Sequence, residues 1–78
     1  MQISIEYCGT CNYRPIAAAL SLAIQEAFGF KPLLVHSSKI GAFEVTADGE
    51  SIFSKADTGV FPSKEVIVDI LRKRRDAG

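Results

Sequence analysis

The stretch Ile3-Ser4-Ile5-Glu6-Tyr7-Cys8-Gly9-Thr10-Cys11-Asn12-Tyr13-Arg14-Pro15-Ile16-Ala17 changes its hydrophobic period halfway along. Up to Tyr7, apolar and polar residues alternate, the two-residue period of a strand with one buried face. Between positions 13 and 28 the apolar residues Ile16, Ala17, Leu20, Ala23, Ile24, Ala27 and Phe28 recur at helical spacing, with Ser21, Gln25 and Glu26 as the polar stripe. Such a helix is expected to be covered over most of its circumference. Pro15 has no N–H to donate and is harmless only in a first turn, so the helix is expected to start at about Asn12 or Tyr13. The cysteine pair therefore falls at a strand-to-helix junction.

Downstream, Gly29 reads as a helix C-cap and Lys31-Pro32 blocks continuation. The short apolar run Leu33-Leu34-Val35-His36 suits a second strand, parallel to the first through the helical crossover and expected to be buried on both faces. Strand-like runs at 42–46 and 51–54 flank Asp48-Gly49, the signature of a type I′ turn, which sets Val45 opposite Ile52. Ser63 is placed to cap a last helix with Val66, Ile67, Ile70 and Leu71 as its apolar face. The order is βαβ followed by ββα, an α/β (α+β) fold: a mixed four-stranded sheet with two helices in a single domain spanning 1–78.

Composition narrows the function. The 78 residues are 47% hydrophobic, which suffices for one core and no second. Lys and Arg together number 9, as do Asp and Glu, so no net field draws the molecule to nucleic acid or an anionic membrane, and neither partner is expected. No apolar run reaches the roughly 18 residues of a membrane span. Residues 1–6 carry no basic flank or cleavage pattern, so no secretory signal is expected and the reading is cytoplasmic. The run Arg72-Lys73-Arg74-Arg75 reads as a solvated helix end complementing the negative pole. Phosphate-cradling loops and nucleotide fingerprints are absent from the sequence, and no cofactor is expected.

Cys8-Gly9-Thr10-Cys11 admits three readings. A purely structural disulfide gains little from so short a loop. A zinc site needs four ligands, and two thiolates plus His36 would still require a carboxylate or a second subunit. In a redox pair at a helix N-terminus, the orphan N–H groups favour thiolate, and one sulfur attacks while the other resolves within the same turn. This third reading has the most support from the position of the motif.

Glu6-Tyr7-Cys8-Gly9-Thr10-Cys11-Asn12-Tyr13-Arg14-Pro15-Ile16-Ala17, Gly41-Ala42-Phe43-Glu44-Val45, Asp48-Gly49-Glu50-Ser51-Ile52-Phe53-Ser54-Lys55 and Gly59-Val60-Phe61-Pro62 together resemble the Rdx family of selenoprotein W-like proteins, in the same order and over nearly the whole chain. The resemblance implies a thioredoxin-like fold and a thiol-based redox activity whose physiological substrates are poorly defined across the family; the function expected here is thiol–disulfide exchange in cell redox homeostasis, acting on protein or glutathione disulfides. It makes Cys8 and Cys11 the catalytic pair, with Gly9 and Thr10 shaping their loop. Selenium-containing members carry selenocysteine at the position of Cys11, which favours Cys11 as nucleophile; the thioredoxin analogy favours Cys8. The approach Lys39-Ile40-Gly41-Ala42-Phe43 lacks the proline that thioredoxins hold opposite the motif, so docking is expected to differ. Tyr13, Gly41 and Phe43 are the candidates for a docking surface. The simpler reading of Tyr7, Tyr13, Phe43, Phe53 and Phe61 is core packing. Likewise Gly41 reads as a loop residue of unusual φ, and His36 as a hydrogen-bonded residue at a strand end. The alternative function is a redox-switched protein-binding module without turnover, and a homodimer through a sheet edge or helix face stays open.

Overall fold

The computed structural model describes residues 1–77. Strand β1 (Ile3–Cys8) leads through the dicysteine turn into helix α1 (Arg14–Phe28), and β2 (Leu33–Ser37) returns parallel to β1. Strand β3 (Phe43–Ala47) runs antiparallel on the other side of β1, β4 (Glu50–Ser54) pairs with β3, and helices α2 (Lys55–Thr58) and α3 (Lys64–Ala77) follow. The sheet order is β2-β1-β3-β4, mixed as expected, with the strand bearing Cys8 in its interior.

Alternation decides which face is buried. Ile3, Ile5 and Tyr7 of β1 and Phe43, Val45 and Ala47 of β3 point into one core with Ala17, Leu20 and Ile24 of α1 and Ile67 and Leu71 of α3. Both long helices cover this same face and touch each other. On the opposite face Ser4 and Glu6 alternate with Glu44 and Thr46, and the Ser4 and Thr46 hydroxyls hydrogen-bond to each other. Gly29 takes φ +82° and its N–H donates to the Gln25 carbonyl at 2.8 Å, the expected C-cap of α1.

Several sequence expectations need correction. Strand β2 is an edge rather than a strand buried on both faces: Leu33 is 66% exposed, because the helices lie on one side and β3 takes the inner position beside β1. Helix α1 begins at Arg14 with Tyr13 as its cap, since Asn12 adopts φ +61° and cannot join the helix. Its circumference is covered on one face only, and Ile16 and Leu22 are exposed. The Asp48-Gly49 turn forms with positive φ at both residues, but a bulge sets Phe53, not Ile52, opposite Val45. That extra residue lets both Ile52 and Phe53 pack against the core. Of the four apolar positions assigned to the last helix, Ile67 and Leu71 are buried while Val66 is exposed. The short helix α2 brings the number of helices to three rather than two, closed by Gly59 at φ +75°.

The basic run at the end of α3 is engaged within the molecule. Arg74 lies 3.9 Å from Asp48 and 3.5 Å from Glu50, bracing α3 against the β3–β4 turn. Lys73 pairs with Asp69 at 3.1 Å, and Arg75 covers the Phe28 ring at 5.2 Å. Among the described residues, no helix is long and apolar enough to cross a membrane.

Candidate functional site: the dicysteine turn

Cys8 is the last residue of β1, and its N–H is held by the Ala42 carbonyl at 2.8 Å. The chain then turns on itself: Asn12 N–H donates to the Gly9 carbonyl at 3.2 Å and Tyr13 N–H to the Cys8 carbonyl at 3.3 Å. Asn12 supplies the left-handed φ that closes this turn, a conformation asparagine tolerates better than most residues. The Cys8 and Cys11 sulfurs are consequently brought to disulfide distance, with Cα atoms 5.4 Å apart.

The two sulfurs sit in different surroundings. Cys8 is 1% exposed, and its sulfur has the Thr10 hydroxyl 3.3 Å away. Cys11 is half-buried, and its sulfur accepts a hydrogen bond from the Gly41 N–H at 3.3 Å. Gly41 lies in the β2–β3 loop at φ +82°, which accounts for glycine there, and its amide faces the motif. On the other side the His36 imidazole lies over Gly9, and its ring meets Tyr7 edge-on at 5.9 Å.

An aromatic ladder supports the start of α1. Tyr13 packs edge-on against Phe61 at 4.7 Å, and Phe61 against Phe43 at 5.4 Å. Phe43 is fully buried beneath this stack, so it forms core and cannot contribute to a docking surface; Tyr13 and Gly41 are half-buried beside the motif. Lys55 extends over both outer rings of the ladder, 5.7 Å from the Tyr13 centroid and 5.3 Å from that of Phe61. Among the described residues, no three His, Cys, Asp or Glu side chains converge as metal ligands would. Sequence reading did not single out Asn12 or Lys55. An asparagine directly after the second cysteine was a usable signal for the first, whereas nothing local to Ser54-Lys55 announces the second.

A parallel βα unit with a dicysteine at its turn, extended by an antiparallel hairpin and a helix on the same face, defines a thioredoxin-like domain. The chain matches the Rdx family over residues 2–73, and it belongs to that family. Its structure superposes on a selenoprotein W-related protein from Vibrio cholerae with a TM-score of 0.83 at 30% identity, covering 92% of each chain. A protein from Bordetella parapertussis shares the fold with a TM-score of 0.85 at 23% identity, covering 94% of this chain and 95% of that one. Among curated proteins, migration and invasion enhancer 1 of Bos taurus and of Mus musculus are each 27% identical over 73 residues, 94% of this chain. The chain spans 64% of the length of these two relatives.

Proposed function

We propose that the Cys8–Cys11 pair cycles between dithiol and disulfide and that the chain is a thiol–disulfide oxidoreductase acting on protein or glutathione disulfides, with no bound cofactor. The asymmetry between the sulfurs carries this reading: Cys8 is buried, while Cys11 is reachable and receives the Gly41 N–H. A backbone donor and the N-terminal pole of α1 both favour negative charge on Cys11. The Cys11 thiolate attacks one sulfur of the substrate, forming a mixed disulfide and expelling the other sulfur as a thiolate that takes a proton. Cys8 then loses its proton and attacks Cys11, closing the intramolecular disulfide and releasing the second thiol. The substrate gains two electrons and two protons and the protein gives them up. Regeneration of the dithiol needs a reducing compartment, and we place the chain in the cytoplasm on that ground.

Mass spectrometry across graded glutathione buffers tests the cycle. The wild type should show a reversible two-proton mass change that Cys8→Ser and Cys11→Ser each abolish. Cys8→Ser, which keeps the attacking sulfur and lacks the resolver, should accumulate a stable mixed disulfide. Trapping by Cys11→Ser instead would reverse the assignment, and a pair that stays reduced at every poise would sink the oxidoreductase reading. A second reading, a redox-switched binding module, draws on Ile40, which is 83% exposed next to Gly41. It requires partner binding that changes with the oxidation state and no catalytic turnover.

A further inference from the structure

Lysine usually keeps its ammonium in water at the end of a mobile stem. Lys55 instead is half-buried, with Nζ held over two rings at cation–π distance. Among the described residues no carboxylate lies within ion-pair distance of it, as is also true of Arg14, Lys31, Lys39, Lys64 and Arg72; the two rings beneath its ammonium set it apart from these. Strand register fixes where this charge sits. Glu6 of β1 pairs with Glu44 of β3, and Glu44 with Ser54 of β4, so Lys55 emerges at the end of the sheet where β1 delivers Cys8. One ring beneath it, Tyr13, belongs to the dicysteine turn itself, two residues past Cys11 and bonded to the Cys8 carbonyl. The carboxylates nearest to it do not pair with it: Asp57 lies two residues on in α2 outside ion-pair distance, Glu6 and Glu44 belong to the opposite face of the sheet, and the Glu65 carboxylate accepts from the Ser63 hydroxyl at 2.8 Å.

We propose that Lys55 is a specificity-determining residue that selects disulfide substrates bearing a carboxylate close to the reacting sulfurs. This rests on the oxidoreductase reading and narrows its substrate class to acidic disulfides. The aromatic shelf fixes a positive charge that the incoming carboxylate meets as Cys11 attacks, and the electron and proton flow is that of the cycle above. At a separation near the Debye length, one such charge changes the encounter of a dianion relative to a dication by roughly tenfold.

A charge series of small disulfides tests this with the reduced full chain: dithiodiglycolate (dianionic), bis(hydroxyethyl) disulfide (neutral) and cystamine (dicationic). Each rate constant is divided by that of the same probe with free dithiothreitol, which removes intrinsic reactivity. The wild type should favour the dianion over the dication by roughly tenfold, and molar salt should compress that ratio. Lys55→Met should bring the ratio close to one, while Lys55→Arg, which keeps the charge and the ring contact, should preserve it. If Lys55→Met does not fold, Lys55→Arg and the salt dependence of the wild type still decide. A wild-type ratio of one, a ratio indifferent to salt, or Lys55→Met retaining the full preference would overturn the proposal. Charge-blind reaction with all three probes removes the selectivity and leaves the oxidoreductase reading standing; no reaction even with the neutral probe removes both.

Discussion

Gly9 has a neighbour that explains its lack of a side chain. A Cβ at this position would overlap the Nε2 and Cδ2 atoms of His36, whose imidazole lies across the dicysteine loop. The imidazole is exposed, so it can swing aside, but only by giving up the edge contact to Tyr7. Gly9→Ala should therefore cost about 1 kcal/mol of stability. In a His36→Ala background most of that cost should vanish, giving a coupling energy of about 0.5–1 kcal/mol in a double-mutant cycle read from urea melts. Strictly additive effects would show that His36 does not constrain the loop. At this scale the candidate site was half legible. Two cysteines in a four-residue loop announce themselves, and the period change around them locates the helix. The contacts of Gly9 with His36 and of Cys11 with Gly41 join different strands and loops, and no local pattern in the sequence encodes such pairs.

Helix α3 shows how local chemistry defines an element's start. The Ser63 hydroxyl oxygen accepts the Val66 N–H at 3.3 Å, the expected cap, and the hydroxyl donates to the Glu65 carboxylate. Ser63→Ala should cost about 1 kcal/mol, visible as a lower thermal midpoint by circular dichroism. The Glu65 carboxyl is held below its ordinary value by its own backbone N–H first and then by the Ser63 hydroxyl; a weaker desolvation opposes them, and the neighbouring Lys64 charge adds least. A depressed carboxyl contributes stability that is complete above its unfolded pKa and is lost as pH falls through the folded one. The midpoint difference between wild type and Glu65→Gln should thus favour wild type at neutral pH and shrink as pH drops through and below the ordinary glutamate range. A difference that stays constant down to strongly acidic pH would refute this assignment. Caps and the Asp48-Gly49 turn were readable because they are made by neighbours in the chain. The β2 edge was not: Leu33-Leu34-Val35 looks like an interior strand until the sheet order is known, and the order depends on both helices sharing one face.

One core joins the four strands and both long helices to the motif, so a cavity far from the cysteines can act on them. Leu71, fully buried halfway along α3, belongs to the same cluster as Tyr7, directly before Cys8, and as Phe43, on which the aromatic ladder rests. A domain of this size has only about 4–12 kcal/mol of stability, so a cavity at Leu71 removes a large share of it. Cys8 is buried in the fold, and in Cys11→Ser it is the remaining thiol. Its alkylation by iodoacetamide then requires opening of the structure. If opening is global and fast relative to labelling, the rate follows the unfolding equilibrium. Adding Leu71→Ala, worth about 2–4 kcal/mol, should accelerate labelling of Cys8 by about 30- to 1,000-fold, in step with the loss of stability measured by urea unfolding of the same variant. Local fraying of the dicysteine turn predicts otherwise: labelling would be fast already in Cys11→Ser and indifferent to Leu71. Finding that indifference would mean that the turn opens independently of the core, exposing Cys8 to solvent while the rest of the fold stays closed.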